Sequence, residues 1–110
     1  MSKSDYNAVS YQILSYLYAS LRDSSPVDPV MISSSSPLYS VKEPWWEFIM
    51  QDLCRKGLIT GAEGLDSGGR LGWTLAKASI TSQGIDLLLS ESFQKKVSSE
   101  RSRKEISPFP

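Results

Sequence analysis

Histidine is absent from this 110-residue chain, and cysteine occurs once, at Cys54. Without histidine, the chain cannot form a Ser-His or Cys-His nucleophile pair or any zinc site that needs imidazole. A lone cysteine can neither close a disulfide within the chain nor hold a structural zinc ion by itself. We therefore expect no metal and no other cofactor.

Long apolar runs are also missing. No segment approaches the ~20 apolar residues that cross a membrane, and the start, MSKSDYNAVSYQ, lacks the apolar core and cleavage site of a signal peptide. A reducing cytoplasm suits a single cysteine. We expect a cytoplasmic protein without a membrane partner.

An excess of one charge is likewise absent. The 12 basic and 12 acidic residues cancel, so the chain lacks the basic balance typical of nucleic-acid-binding domains, although a local basic patch stays open. Neither a Walker A sequence nor a G-x-G-x-x-G after a strand is present. The acidic residues are scattered, with no pair that the sequence brings together, so we expect a protein that is not an enzyme.

Apolar residues recur at three- and four-residue steps in three segments, which predicts helices over residues 5–21, 44–57 and 82–97. In the second helix, Pro44 suits the first turn and Gly57 the C-terminal cap. In the third, Thr81 suits the N-terminal cap and Gly84 lies in the first turn. The first and third helices carry these stripes: Tyr6, Val9, Ile13, Leu17 and Leu21; Ile85, Leu88, Leu89, Phe93 and Val97.

The segments between the helices are rich in serine, proline and glycine. Residues 24–40 hold either a short strand at 30–32 or a long irregular loop, and residues 37–39 suit a single helical turn. Residues 58–60 and 78–81 read as two strands around the turn-forming stretch GAEGLDSGGRLG, and residues 71–75 are either strand or irregular. This pattern predicts a β-hairpin with a long, glycine-rich tip.

The order of these elements is that of a winged helix: a helix–turn–helix with a β-hairpin wing and a closing C-terminal helix. The phrase LCRKGLITG resembles the end of a recognition helix and the first wing strand. The phrase ASITSQGIDLL resembles the second wing strand followed by the last helix. We expect one α+β winged-helix domain over residues 4–97 and a flexible C-terminal tail over residues 98–110.

A narrower resemblance covers residues 6–97. The phrases YQILSYL, FIMQDLCRKGLITG and ITSQGIDLLLSESFQKK resemble the YjcQ-like family of phage- and prophage-associated winged-helix proteins. This resemblance implies a winged helix in a bacterial host cell or phage setting, with no activity and no site residues. The serine run 33–36 and the Trp45–Trp46 pair depart from the family pattern.

The helix at 44–57 offers a candidate nucleic-acid interface. At 100° per residue, its outer face carries Glu47, Phe48, Gln51, Asp52 and Arg55, opposite Trp46, Ile49, Met50, Leu53 and Gly57. In a winged helix this element can lie in the major groove while the wing reaches the backbone. Gln51 can read adenine and Arg55 can read guanine or bind a phosphate, and the wing adds Arg70 and Lys77. The leading interpretation is therefore a regulatory module that binds double-stranded DNA.

Two acidic residues weaken that interpretation. Glu47 and Asp52 would approach a polyanion, and each of the basic side chains suits a solvated surface equally well. The alternative is a protein-interaction or self-association module. Phe48 on the outer face and Trp45 at its edge would contact a second copy in a homodimer, or a phage or host protein. Phe48 could instead pack beneath residues 24–40.

Overall fold

The computed structural model describes the backbone of residues 3–67 and 70–106 and the side chains of residues 6–64 and 72–98. The α-helices are α1 (Lys3–Arg22), α2 (Glu43–Arg55), α3 (Ser82–Leu89) and α4 (Glu91–Ile106), with a 3₁₀ helix at Pro29–Ile32. The strands are β1 (Ile59–Thr60), β2 (Glu63–Ser67), β3 (Arg70–Thr74) and β4 (Ser79–Ile80). The predicted α+β class is confirmed, and the arrangement is compatible with a winged helix.

Helix α1 supplies one side of the core through Val9, Ile13, Leu14 and Leu17. Leu21, which the periodicity assigns to the same stripe, is exposed instead. The helix ends there in a left-handed cap: Ser24 has φ 54°, and the Ser25 N–H donates to the Ser20 carbonyl at 2.9 Å. This backbone conformation and hydrogen bond end α1 before Pro26 is reached.

Both alternatives for residues 30–32, a short strand and an irregular loop, are wrong, because Pro29–Ile32 forms a 3₁₀ helix. Asp28 caps it by accepting from the Val30 N–H at 3.1 Å, and Pro29 takes a position where its missing N–H has no cost. Ile32 is buried in the core. The predicted helical turn at 37–39 is an ordinary turn, in which the Ser36 hydroxyl accepts from the Leu38 N–H.

Helix α2 provides the opposite side of the core. Its inward face carries Trp46, Ile49, Met50 and Leu53, all buried as predicted. The predicted cap at Gly57 is confirmed: its φ is 74°, and the Leu58 N–H reaches back to the Leu53 carbonyl at 3.0 Å.

The predicted β-hairpin, which we call the wing, is present as two antiparallel pairs. Strand β1 pairs with β4, Ile59 opposite Ile80, and β2 pairs with β3, from Glu63 opposite Thr74 to Ser67 opposite Arg70. Residues 63–67 therefore form a strand, although the glycines of this stretch predict a turn. Residues 68 and 69 at the predicted tip lie outside the described residues.

Two tryptophans anchor the wing to α2. The half-buried ring of Trp73 on β3 meets Trp46 edge-on, with the ring centroids 5.5 Å apart. The Trp46 indole N–H donates to the Ile32 carbonyl at 3.0 Å. Trp46 thereby joins α2, the wing and the 3₁₀ helix at one point.

The closing helix is two helices, separated at Ser90. The Ser90 hydroxyl donates to the Leu87 carbonyl at 2.7 Å and accepts from the Phe93 N–H, so it caps α4. Leu89, predicted to be core, is exposed at this break. Helix α4 packs on α1 through Phe93 and Tyr11 and extends to Ile106, so residues 98–106 have a helical backbone. The mobility of the 98–110 tail stays a prediction, and residues 107–110 lie outside the described part.

Candidate interaction surface on helix α2

Three aromatic rings meet on the outer side of α2, and we call Tyr6, Trp45 and Phe48 the aromatic cluster. Trp45 and Phe48 lie one turn apart and stack with their centroids 5.2 Å apart and their planes 12° apart. Tyr6 from α1 tilts against Phe48 at 6.3 Å. The cluster therefore joins α1 and α2 at the surface, and it brings the two predicted interaction residues into contact.

Phe48 is 47% exposed, so its ring is not covered by residues 24–40. Its position follows from the period of α2, because Trp46, Ile49, Met50 and Leu53 occupy the inward face. Trp45 is half-buried, and its indole N–H is enclosed without a hydrogen-bond partner among the described residues. The contact with Trp45 holds the Phe48 ring in place, and the ring remains partly exposed to solvent.

Asp52 lies beside the aromatic cluster and is buried, which corrects its predicted place on the outer face. The Tyr6 hydroxyl and the Arg55 guanidinium donate to its two carboxylate oxygens. The Lys56 ammonium lies 2.9 Å from Oδ2 and also donates to the Tyr6 hydroxyl at 3.1 Å. We call these four residues the carboxylate cluster. Tyr6 covers Asp52 from α1, which the period of α2 alone does not show.

The carboxylate cluster shifts the pKa values of its members. Burial raises the pKa of Asp52, but hydrogen bonds from Tyr6, Lys56 and Arg55 outweigh it and lower the pKa to about 2. Hydrogen bonds to Asp52 and Tyr6 raise the pKa of Lys56. Burial, followed by the hydrogen bond to Asp52, raises the pKa of Tyr6. At neutral pH the cluster is therefore one carboxylate paired with two cations.

Charge is distributed unevenly along α2. Glu43 and Glu47 lie in its N-terminal half, and neither forms an ion pair with the described side chains. Arg55 and Lys56 lie at its C-terminal end, with side chains 71% and 55% exposed despite their contacts with Asp52. Both positions suit the helix dipole, which favours anions at the start and cations at the end.

The predicted DNA-contacting residues fall into three groups. Gln51 and Arg55 are exposed one turn apart on α2, although Arg55 is already bound to Asp52. Lys77 is exposed in the turn between β3 and β4. The side chain of Arg70 lies outside the described residues. The structure thus brings Gln51 and Arg55 together on one face, and their relation to the wing cations stays a prediction.

Sequence reasoning missed two members of this surface, Tyr6 and Lys56. The spacing of Asp52 from Arg55 and Lys56 is a signal for helical ion pairs, and it could have identified the pairing of both cations. Nothing in the sequence indicates that Tyr6, 46 residues earlier, closes over the same carboxylate. That contact depends on how α1 crosses α2.

Within the described part of the chain, no group of three or more cysteine and acidic side chains is placed to hold a metal ion. No helix among the described residues is long and apolar enough to cross a membrane.

The sequence model of the family described as YjcQ protein matches residues 11–107. This match covers most of the chain and confirms the resemblance indicated by the three phrases. Searches of curated proteins and of solved structures gave no match.

Proposed function

The chain belongs to the YjcQ protein family, and we propose that it is a non-enzymatic module of the bacterial cytoplasm that binds another protein through the outer face of α2. The observation that supports this most strongly is the exposed Phe48 ring, stacked on Trp45 of the same helix. Exposed aromatic rings held by their neighbours are typical anchors of protein interfaces.

The stacking of Trp45 on Phe48 lowers the cost of binding. Association orders side chains, at a cost of ~0.5–1.5 kcal/mol for each mobile one. Phe48 contacts rings on both α1 and α2, so little of this cost remains for it. A partner would find an apolar anchor already in place, with charged groups on either side as the rim of the interface.

The charge of α2 favours a protein over a polyanion. Among its acidic and basic groups, Asp52 already neutralises part of the charge of Arg55 and Lys56. Glu43 and Glu47 lie on the same helix, form no ion pair with any described side chain and would repel phosphates. A face with no excess of positive charge around an exposed ring suits a protein surface.

Photo-crosslinking in bacterial cells tests the proposal. Phe48 is replaced by the photoreactive benzoylphenylalanine, which keeps an aromatic ring at this position. The matched control carries the same group at Leu89, which is 58% exposed on a different surface. We expect a discrete protein adduct from position 48 and no such adduct from position 89. The absence of any adduct from position 48, or equal adducts from both positions, would contradict the proposal.

A second candidate is a regulatory nucleic-acid-binding module in a phage or prophage setting. The exposed side chains of Gln51 on α2 and Lys77 on the wing favour it, because both suit contacts with duplex DNA in a winged-helix arrangement. Its weak point is Arg55, which would have to leave Asp52 in order to bind a base or a phosphate.

Gel retardation with duplex DNA tests the second candidate. At ~50 mM salt and micromolar protein, DNA binding predicts a retarded duplex whose affinity falls steeply as salt rises. Lys77→Ala should weaken binding to every sequence, whereas Gln51→Ala should reduce discrimination between sequences. If neither duplex nor single strands are retarded under these conditions, this candidate fails.

A further inference from the structure

The outer face of α2 is complementary to itself. Its exposed positions are Pro44, Phe48, Gln51 and Arg55, which follow one another at helical spacing. Phe48 lies near the middle of the helix. The acidic side chains Glu43 and Glu47 lie on one side of it, and the cationic ends of Arg55 and Lys56 lie on the other.

We infer that the partner of this face is a second copy of the same chain, with the two α2 helices packed antiparallel about a two-fold axis near Phe48. This inference rests on the proposed function, because it names the occupant of the same surface. A two-fold contact uses one patch twice, so each group must find its complement on that same patch.

An antiparallel pair provides those complements. With the axis between Phe48 and Gln51, the ring of each copy lies against Gln51 of the other. Pro44 of one copy lies opposite Arg55 of the other, and Glu47 lies opposite the ion-paired Asp52 and within one turn of Arg55. Glu43 and Lys56 lie at the same level but on opposite flanks of the contact, because at 100° per residue they diverge from Phe48 in opposite directions. A parallel pair would instead bring like charges together and align the two helix dipoles.

The carboxylate cluster prepares the cationic end for this contact. Asp52 holds Arg55 and Lys56 in position, but their side chains remain more than half exposed. One carboxylate beside two cations leaves one positive charge at that end. At the other end, Glu43 and Glu47 outnumber the exposed Lys42 and leave one negative charge, and neither glutamate forms an ion pair with any described side chain. The unmatched charges are therefore available to a second copy.

Pairing of α2 helices has a consequence for DNA recognition. The contact would cover Gln51 and Arg55, the two residues of α2 that could read bases. Self-association and insertion of α2 into a groove therefore exclude each other, because both use the same face.

Sedimentation velocity over a range of concentrations tests the inference, with the charge-reversed double variant Glu43→Lys and Glu47→Lys. Neither glutamate has an internal ion pair in the described part, so the fold should tolerate the change, and circular dichroism checks this. We expect a reversible wild-type dimer with a dissociation constant on the order of 10–100 µM, as for a small interface. The variant should dimerise at least tenfold more weakly.

The matched control, Glu63→Lys with Asp86→Lys, makes the same change of charge at exposed positions away from α2. It should dimerise within about twofold of the wild type. A mixture of wild type and the α2 variant should have intermediate affinity, because one end of the mixed pair stays complementary. Rising salt should reduce the difference between the wild type and the α2 variant.

Three outcomes would overturn the inference: a wild-type protein that is monomeric at ~0.5 mM, an α2 variant that dimerises like the wild type, or a control that weakens as much as the variant. The photo-crosslink from position 48 separates these failures from failure of the proposed function. An adduct with a different protein leaves that function standing and overturns self-association, whereas the absence of any adduct overturns both.

Discussion

At the residue scale, Asp52 is buried and Phe48 is exposed, the reverse of what their polarity alone would suggest. The difference comes from their partners. Asp52 receives hydrogen bonds or ion pairs from Tyr6, Arg55 and Lys56, so burial leaves it no unpaired charge. Phe48 contacts the rings of Tyr6 and Trp45, but these contacts leave part of its apolar surface in water.

The depressed pKa of Asp52 predicts a pH dependence of stability. The pKa is about 2 in the folded protein, against ~3.9 in an unfolded chain. Above about pH 4 both states are ionised and the stabilisation is fully present, and it is lost as the pH falls from about 4 to 2. We expect Asp52→Asn to lower the free energy of unfolding by about 1–2 kcal/mol at pH 7, and by much less at pH 2.

Urea unfolding between pH 7 and pH 2 measures this dependence. The matched control is Asp86→Asn, which removes an exposed carboxylate and should change stability by less than ~0.5 kcal/mol at every pH. The difference in the free energy of unfolding between the wild type and Asp52→Asn should shrink towards pH 2. If it stays constant down to pH 2, the carboxylate cluster does not titrate as proposed.

At the element scale, close contacts at helix ends determine how the wing joins the helices. Thr81 donates to the Gly57 carbonyl at 2.5 Å and accepts from the Gly84 N–H, so one hydroxyl links the end of α2 to the start of α3. A β-carbon on Gly84 would lie 2.3 Å from the Leu58 carbonyl oxygen. Glycine is therefore required at position 84 because a side chain there would clash with the backbone.

This contact predicts that Gly84→Ala is destabilising, although alanine favours a helix interior by ~1 kcal/mol over glycine. The clash is with backbone, which cannot move without disturbing β1, so we expect a net loss of about 2–3 kcal/mol. Gly57→Ala is the control: its β-carbon meets only Gln83 at 3.8 Å, and its φ of 74° alone should cost about 1 kcal/mol. Equal losses in thermal unfolding would remove the steric explanation.

The end of α1 predicts a change of the opposite sign. Ser24 has φ 54°, a conformation that costs a residue with a β-carbon ~1–2 kcal/mol and costs glycine little. Ser24→Gly should raise the free energy of unfolding by about 0.5–1 kcal/mol, since the more flexible unfolded chain offsets part of the gain. Guanidinium unfolding measures it, and a loss of stability would show that the Ser24 side chain stabilises the cap.

The sequence predicts the elements well where one rule decides the local structure. The core face of α2, its Gly57 cap and the cap at Thr81 all follow from helical spacing and cap chemistry. It fails where two rules compete. The apolar run 30–32 favours a strand, but Asp28 and Pro29 before it favour the 3₁₀ helix that forms. Ser90 divides a continuous apolar stripe because its side chain caps α4.

At the scale of the whole molecule, α2 is covered on every side except one. Helix α1 contacts it through Tyr6, the wing through Trp73, and the 3₁₀ helix through the Ile32 carbonyl. The remaining surface carries Pro44, Phe48, Gln51 and Arg55. The composition of this remaining surface supports the proposal that the protein binds another protein.

The candidate surface could be predicted only in part, because it is formed by α1 as well as α2. The period of α2 identifies Phe48 as an outer residue, and the structure agrees. It also places Asp52 outside, because a single-helix projection ignores neighbouring elements. The position of Tyr6 over Asp52 depends on tertiary packing. The availability of Arg55 for a ligand depends on the same packing, because Arg55 is bound to Asp52.

The free energy of unfolding of Phe48→Ala tests most directly whether the exposed ring contacts another molecule. Phe93→Ala is the control, because Phe93 is buried between α4 and α1. At about 1 µM, where self-association is negligible, we predict a loss of ~1 kcal/mol or less for Phe48→Ala and ~3 kcal/mol or more for Phe93→Ala. A loss near 3 kcal/mol for Phe48→Ala would make the ring part of the core and contradict the proposed surface.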